Sequence, residues 1–124
     1  PVQIVRFPQR SIGFRQPFRF SMADGCRGDE LIGVLRWRLL ASTPADIFAF
    51  DVNGTYLLPA FVRSTVEDDA ELPAVWYEID LQDCPEFSGD NELGVTLTEL
   101  GEARTGGEPY LEELVVTVEA ERSA

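Results

Sequence analysis

The sequence predicts an all-β fold, an antiparallel β-sandwich, and three observations carry that prediction. Apolar residues recur with a period of two rather than 3.6, the mark of strands with one buried face. Turn-forming residues interrupt these runs about every ten positions: Pro8, Asp24-Gly25, Thr43-Pro44, Asn53-Gly54, Ser88-Gly89 and Gly106-Gly107. The composition, 44% hydrophobic and 26% charged, is that of a globular chain rather than a disordered one. Its 124 residues make one ordinary domain, residues 1–124, that buries a core without metal or disulfide staples. The chain opens on Pro1 rather than Met, so excision from a larger protein is expected.

Taken in order, Val2 to Phe7 and Phe14 to Met22 read as two strands, the second with Phe18 and Phe20 opposite Arg19. After Leu31, the residues Leu35, Trp37 and Leu39 share one face and Arg36 and Arg38 the other, which places Trp37 in the core. Phe48, Phe50 and Val52 alternate with Ile47, Ala49 and Asp51 up to the Asn53-Gly54 turn. Val66–Leu72 is the one helix-like stretch, but its Glu-Asp-Asp-Ala-Glu run reads as a solvated loop. Tyr77, Ile79 and Leu81 then alternate with Trp76, Glu78 and Asp80. Leu93, Val95 and Leu97 alternate with Thr96 and Thr98, and Leu114, Val116 and Val118 with Val115, Thr117 and Glu119. About seven or eight short strands of this kind make a sandwich or jelly roll.

Charge narrows the partners. Ten basic residues, all arginine, face 22 acidic ones for a net charge of −12. A nucleic-acid or anionic-membrane binder must supply basic residues to displace counterions, so neither partner is expected. No apolar run approaches the ~20 residues that span a bilayer. Residues 1–45 hold seven Arg against Asp24, Asp29 and Glu30, a local +4, which leaves −16 on the remainder. Pairing of the Arg-rich early strands with Glu112, Glu119 and Glu121 on the last strand is expected from this asymmetry.

The segment from Ile47 to Leu97 carries three ordered motifs: Phe-Asp-Val-Asn-Gly, Trp-Tyr-Glu-Ile-Asp-Leu, and Ser-Gly-Asp-Asn-Glu-Leu-Gly-Val-Thr-Leu. Together they resemble the galactose-binding-domain-like jelly roll found beside the catalytic domains of many glycoside hydrolases. Leu111–Glu119 is similar to the closing strand of such domains. The resemblance implies a non-catalytic accessory domain of a carbohydrate-active protein. Such a domain binds carbohydrate through loops at one end of the sandwich or buttresses the adjacent catalytic domain. It implies no cofactor, although some members hold a structural calcium ion. Within the motifs, Asn53 and Gly54 form a tight turn that tolerates positive φ. Gly89 allows the turn into the next strand, and Asn91 can fix it by bonding nearby backbone.

Several chemistries were weighed on the residues themselves. Without histidine there is no imidazole base, no Ser-His or Cys-His pair and no His-based zinc site. Glu78 and Asp80 share a strand face, as a glycosidase pair might need, but 22 acids in so short a chain produce such pairs by chance. Sugar binding is the sharper expectation, because aromatic rings stack on pyranose faces. Trp76, outward beside Glu78, leads that set, with Tyr56, Arg63 and Tyr110 in or near loops. The alternative for Trp76 is packing beneath a loop or against another domain, as in a protein-interaction or assembly module of the same fold. Arg36 and Arg38 are expected to pair with carboxylates of a neighbouring strand.

The acidic runs Glu67-Asp68-Asp69-Ala70-Glu71 and Asp90-Asn91-Glu92 lack EF-hand spacing and read as solvated faces. Cys26 and Cys84 lie before and after predicted strands; if those strands are antiparallel neighbours the two loops share an end of the sandwich, where one disulfide is permitted. A bridge would place the chain in an oxidising, secreted or cell-surface setting. Arg27-Gly28-Asp29 and Asn53-Gly54-Thr55 match short adhesion and glycosylation patterns. Turn chemistry explains both.

Overall fold

A computed structural model describes residues 3–22, 31–85, 87–101 and 107–121. Its strands are β1 (Val5–Arg6), β2 (Arg15–Ser21), β3 (Leu31–Leu40), β4 (Ile47–Val52), β5 (Thr55–Tyr56), β6 (Arg63–Glu67), β7 (Ala74–Asp80), β8 (Asp90–Glu99) and β9 (Tyr110–Glu121). No α-helix occurs among the described residues, where three short 3-10 turns complete the connections. The strands form two antiparallel sheets, ordered β1-β9-β3-β7-β6 and β2-β8-β4-β5. Their inner faces meet over one core, so the chain is an all-β sandwich.

The period-two pattern decides which side chains meet in that core. Leu35, Trp37, Leu39, Ile79 and Leu111 of the five-stranded sheet pack toward Phe18, Phe50, Val52, Leu93, Val95 and Leu97 of the four-stranded one. Burying a side chain of this size contributes about 1.5–3 kcal/mol relative to leaving it exposed. At one flank the core is aromatic. The Trp37 and Phe50 rings meet edge to face at 4.8 Å, Phe50 lies 4.8 Å from Tyr77, and Phe7 meets Phe48 at 5.5 Å. Such pairs add about 0.5–1.5 kcal/mol beyond area burial.

Three elements differ from the sequence expectation. The first predicted strand, Val2–Phe7, contracts to Val5–Arg6, with Pro8 and the 3-10 turn Gln9–Ser11 following it; Val2 lies outside the described residues. Strands β5 and β6 went unrecognised. Four of the five β6 residues are exposed, so no buried alternation marks it, and Val66 and Glu67 are strand rather than loop. Asp68 to Leu72 do form the turn that follows.

The charge pairing is also redistributed. Arg36 stands opposite Val115 on β9 and opposite Glu78 on β7. Its guanidinium meets Glu78 at 3.4 Å, and Arg38 meets Glu67 of β6 at 3.1 Å. Arg36 thus pairs with a carboxylate of the neighbouring strand, as the sequence predicts, and Arg38 with one on β6, a strand further out. Glu112 makes no such pair among the described contacts, and the Glu119 and Glu121 side chains lie outside them.

Glycine solves one close approach in the five-stranded sheet. At Gly33 the β3–β9 register shifts, and a Cβ there would fall on the Thr117 carbonyl of β9.

Candidate functional site

The residues proposed from sequence for sugar binding fall on two surfaces. Trp76, Glu78 and Arg63 share the outer face of the five-stranded sheet. Trp76 is half-buried there, with the guanidinium carbon of Arg36 4.4 Å and that of Arg38 5.5 Å from its ring centroid. Arg63 donates to Glu78 at 2.8 Å and to Asp80 at 2.9 Å. The Glu78 bonds, then those of Asp80, raise the Arg63 guanidinium above its ordinary pKa. Trp76 therefore sits inside a ladder of ion pairs and cation–π contacts, and the indole presents a face already covered by arginine.

Tyr110, the first residue of β9, stands at one end of this sheet with Arg6 5.3 Å over its ring. It lines a depression with Arg38, Glu67 and Glu112. Arg63 and Tyr110 each open a strand and Tyr56 ends β5, so all three lie beside loops, as expected. Tyr56 is far removed in the chemistry around it. It is 69% exposed and borders an apolar groove of about 390 Å3 with Phe48, Phe50, Leu57, Leu58 and Tyr77. Burial, helped by the Asp46 charge, pushes the Tyr77 phenol up to about 12.

The third surface is built by the turn residues. Asn53 at φ 52° and Gly54 at φ 89° turn β4 into β5, the left-handed pair of a tight hairpin. The Asn53 side-chain amide donates to Asn91 Oδ1 at 3.0 Å, and its oxygen accepts from the Glu92 N–H at 2.8 Å. Asn91, 3% exposed, also accepts from the Ser88 N–H and donates to the Ser88 carbonyl, both at 2.9 Å. The Gly89 carbonyl accepts from Met22 N–H at 3.0 Å, which ties the end of β2 to the start of β8.

Beside this turn lies an ion pair that sequence reasoning missed. Asp51 is 3% exposed although it points away from the apolar core. Arg15 grips it in a bidentate fork, Nε to Oδ2 and Nη2 to Oδ1, both at 2.9 Å, and also reaches Glu92 at 3.0 Å. The Asp51 bonds raise the Arg15 guanidinium well above its ordinary pKa, outweighing the opposing desolvation. Gly54 N–H completes the carboxylate's shell at 3.0 Å. The pair crosses β8 at Gly94, where a Cβ would strike Asp51 Oδ2 and Arg15 Nε. A glycine inside the strand run Glu-Leu-Gly-Val was the available signal, since it marks a close approach.

These residues frame an open groove of about 910 Å3, lined by Arg15, Arg19, Phe20, Asn53, Asp90 and Glu92 among others. Phe20 shares the inner face of β2 with Phe18, packs against the core and meets Phe87 edge-on at 6.3 Å, on the opposite strand face from the Arg19 side chain. Arg15 and Arg19 stand with the Asp90 and Glu92 carboxylates in this lining, and Asp51, held by Arg15, adds a third carboxylate beside it. Such a groove offers hydrogen-bond donors and acceptors that carry both signs of charge.

Among the described residues no group of three or more His, Cys, Asp or Glu side chains converges to hold a metal ion. Cys84 is a free, buried thiol that meets the Asp80 carbonyl at 3.6 Å. Burial, with the Asp83 and Asp80 charges, pushes it up to about 12. Cys26, like Arg27-Gly28-Asp29, lies outside the described residues. No helix of the described residues is long and apolar enough to cross a membrane.

Fold and site together define an all-β sandwich with a polar groove of mixed charge at one end and an apolar groove on one flank. No family model, curated protein or solved structure matches the chain.

Proposed function

We propose that the chain is a non-catalytic accessory domain of a carbohydrate-active protein, of the galactose-binding-domain-like jelly-roll type, and that it binds carbohydrate in the polar groove. Strand pairing supports the jelly-roll reading. β1 pairs with β9, β2 with β8, β3 with β7 and β4 with β5, the nesting that results when one long hairpin rolls into two sheets. β6 adds an edge strand to that arrangement.

The observation that carries the binding reading is the mixed-charge lining of the groove. Arg19, Asp90 and Glu92 offer fork-like donors and paired acceptors, the chemistry that vicinal hydroxyls require. Fixed charges of both signs favour a neutral polyhydroxyl ligand over a phosphate or a cation. The network through Asp51, Asn53 and Asn91 holds the wall in place before binding, which limits the ordering cost. This moves the site from Trp76, whose ring is covered by arginine, to the Asn53-Gly54 end. No cofactor takes part in such binding.

Calorimetric titration against a panel of poly- and oligosaccharides tests the proposal, with Arg19→Ala, Asp90→Ala and Trp76→Ala as comparisons. Saturable binding weakened tenfold or more by the first two, and kept by the third, supports it. Binding lost in Trp76→Ala returns the site to the outer face of the five-stranded sheet. Heat absent across the panel, with the fold intact by circular dichroism, overturns carbohydrate binding. A second reading, a protein-docking module, is favoured by the flank groove, where Tyr56 and Leu58 are 69% and 61% exposed.

A further inference from the structure

Among the described residues β6 (Arg63–Glu67) is the outer strand of its sheet, paired to β7 on one side. An edge strand offers a row of backbone donors and acceptors to any second strand. Proteins commonly blunt such edges with like charges, which repel another copy. The β6 sequence Arg-Ser-Thr-Val-Glu does the opposite. Its charges are of opposite sign and stand symmetrically about Thr65.

We infer that the β6 edge joins two copies of this chain into a dimer with a continuous sheet. The register follows from symmetry. A two-fold axis perpendicular to the sheet makes the two β6 strands antiparallel and keeps the outer face of both copies on one side. Residues 63, 65 and 67 then pair only with one another across the axis. Centring the axis on Thr65 is the arrangement that uses all five residues. It sets Arg63 opposite the partner's Glu67 and Glu67 opposite the partner's Arg63, with Thr65 facing the partner's Thr65. Opposite charges directly across an antiparallel pair attract, and like charges repel.

The surroundings fit the same occupant. Arg63 already holds Glu78 and Asp80, and Glu67 holds Arg38, so both charged side chains are oriented on the outer face before any partner arrives. A guanidinium has five N–H donors, and Arg63 directs two of its nitrogens to those carboxylates. Pairing therefore extends the ladder without breaking it. On the inner side of the strand, Val66 is 48% exposed and Ser64 borders the flank groove whose rim carries Tyr56 and Leu58. A second β6 laid along the edge covers apolar surface that the chain itself leaves open. At about 0.15 M salt the Debye length of about 8 Å screens repulsion between two copies at net −12, while contact pairs persist. This dimer is independent of the polar groove at the Asn53-Gly54 end.

Sedimentation velocity of the purified chain over a concentration series up to about 1 mM reads the result, with circular dichroism to check the fold. Wild-type protein is expected to approach twice the 13.8 kDa chain mass. Thr65→Lys sets two ammonium groups face to face at the axis, and Thr65→Glu two carboxylates. Each is expected to sediment as a monomer, and an equimolar mixture of the two as a dimer. A wild-type protein monomeric throughout overturns the inference. So does a dimer that survives in both Thr65 variants, which would place the contact elsewhere. Failure of the mixture to reassociate, with both variants folded, contradicts the proposed register.

Discussion

Substituting Gly94 by alanine tests the reasoning about the polar groove at its foundation. The new methyl would occupy the space between Asp51 Oδ2 and Arg15 Nε and stand 2.6 Å from Asp51 Cγ. The fork must open or β8 must move. Losing one partner of a buried ion pair costs about 3–5 kcal/mol. Here the Arg15 side chain is 37% exposed and that of Asp51 4%, and water screens the arginine end. Asp51 also keeps the Gly54 N–H. We therefore expect a loss of about 2–3 kcal/mol, less the few tenths that alanine recovers over glycine in a strand. For a domain of this length that corresponds to a fall in Tm of roughly 8–12 °C, readable by circular dichroism or calorimetry.

The double-mutant cycle sharpens the test. In an Arg15→Ala/Asp51→Ala background nothing remains for the methyl to strike, and Gly94→Ala should be neutral or slightly stabilising. A coupling of about 2 kcal/mol between Gly94 and the pair is the expected result. Gly94→Ala within about 0.5 kcal/mol of wild type would refute the claim that the pair needs this glycine.

Three further outcomes follow from the same geometry. Asn91→Ala leaves the Ser88 N–H without its acceptor and unties Asn53, so stability should fall by about 2–3 kcal/mol and hydrogen exchange at Ser88 should quicken; unchanged exchange would show that Asn91 does not hold this turn. Gly33→Ala drives a Cβ onto the Thr117 carbonyl, and the urea midpoint should drop by about 1 M or more, whereas an unmoved midpoint would mean the β3–β9 bulge accommodates a side chain. The Tyr77 and Cys84 groups ionise near 12 when folded against ordinary values of 10.0 and 9.0. The folded state thus holds these protons more tightly, and the stability they contribute is full below pH 9 and lost as pH rises through 12. The unfolding free energy should decline by roughly a few kcal/mol over that window, less so in Tyr77→Phe; a flat profile would contradict the burial of both groups.

The sheet architecture was largely legible because burial writes period two directly into the chain, as in Leu35-Arg36-Trp37-Arg38-Leu39. Where burial is absent the signal fails. β6 lies at an edge with four of five residues exposed, so Arg63 to Glu67 carry strand geometry without strand patterning. The Asn53-Gly54 turn was readable since its positive φ demands particular residues. Its partners were not, because the bonds joining Asn53 to Asn91 and Arg15 to Asp51 span 38 and 36 residues. Trp76 shows the other limit. Alternation gave its face, but the covering by Arg36 and Arg38 depends on β3 lying beside β7 rather than on any local pattern.

The most direct test of carbohydrate binding is to map backbone amide shifts of the labelled chain during titration with each glycan of the panel. The account expects saturable shifts confined to Arg19, Phe20, Ser21, Asn53, Gly54 and Asp90 to Glu92. Shifts centred on Trp76 and Arg63, or none with any glycan, would contradict it.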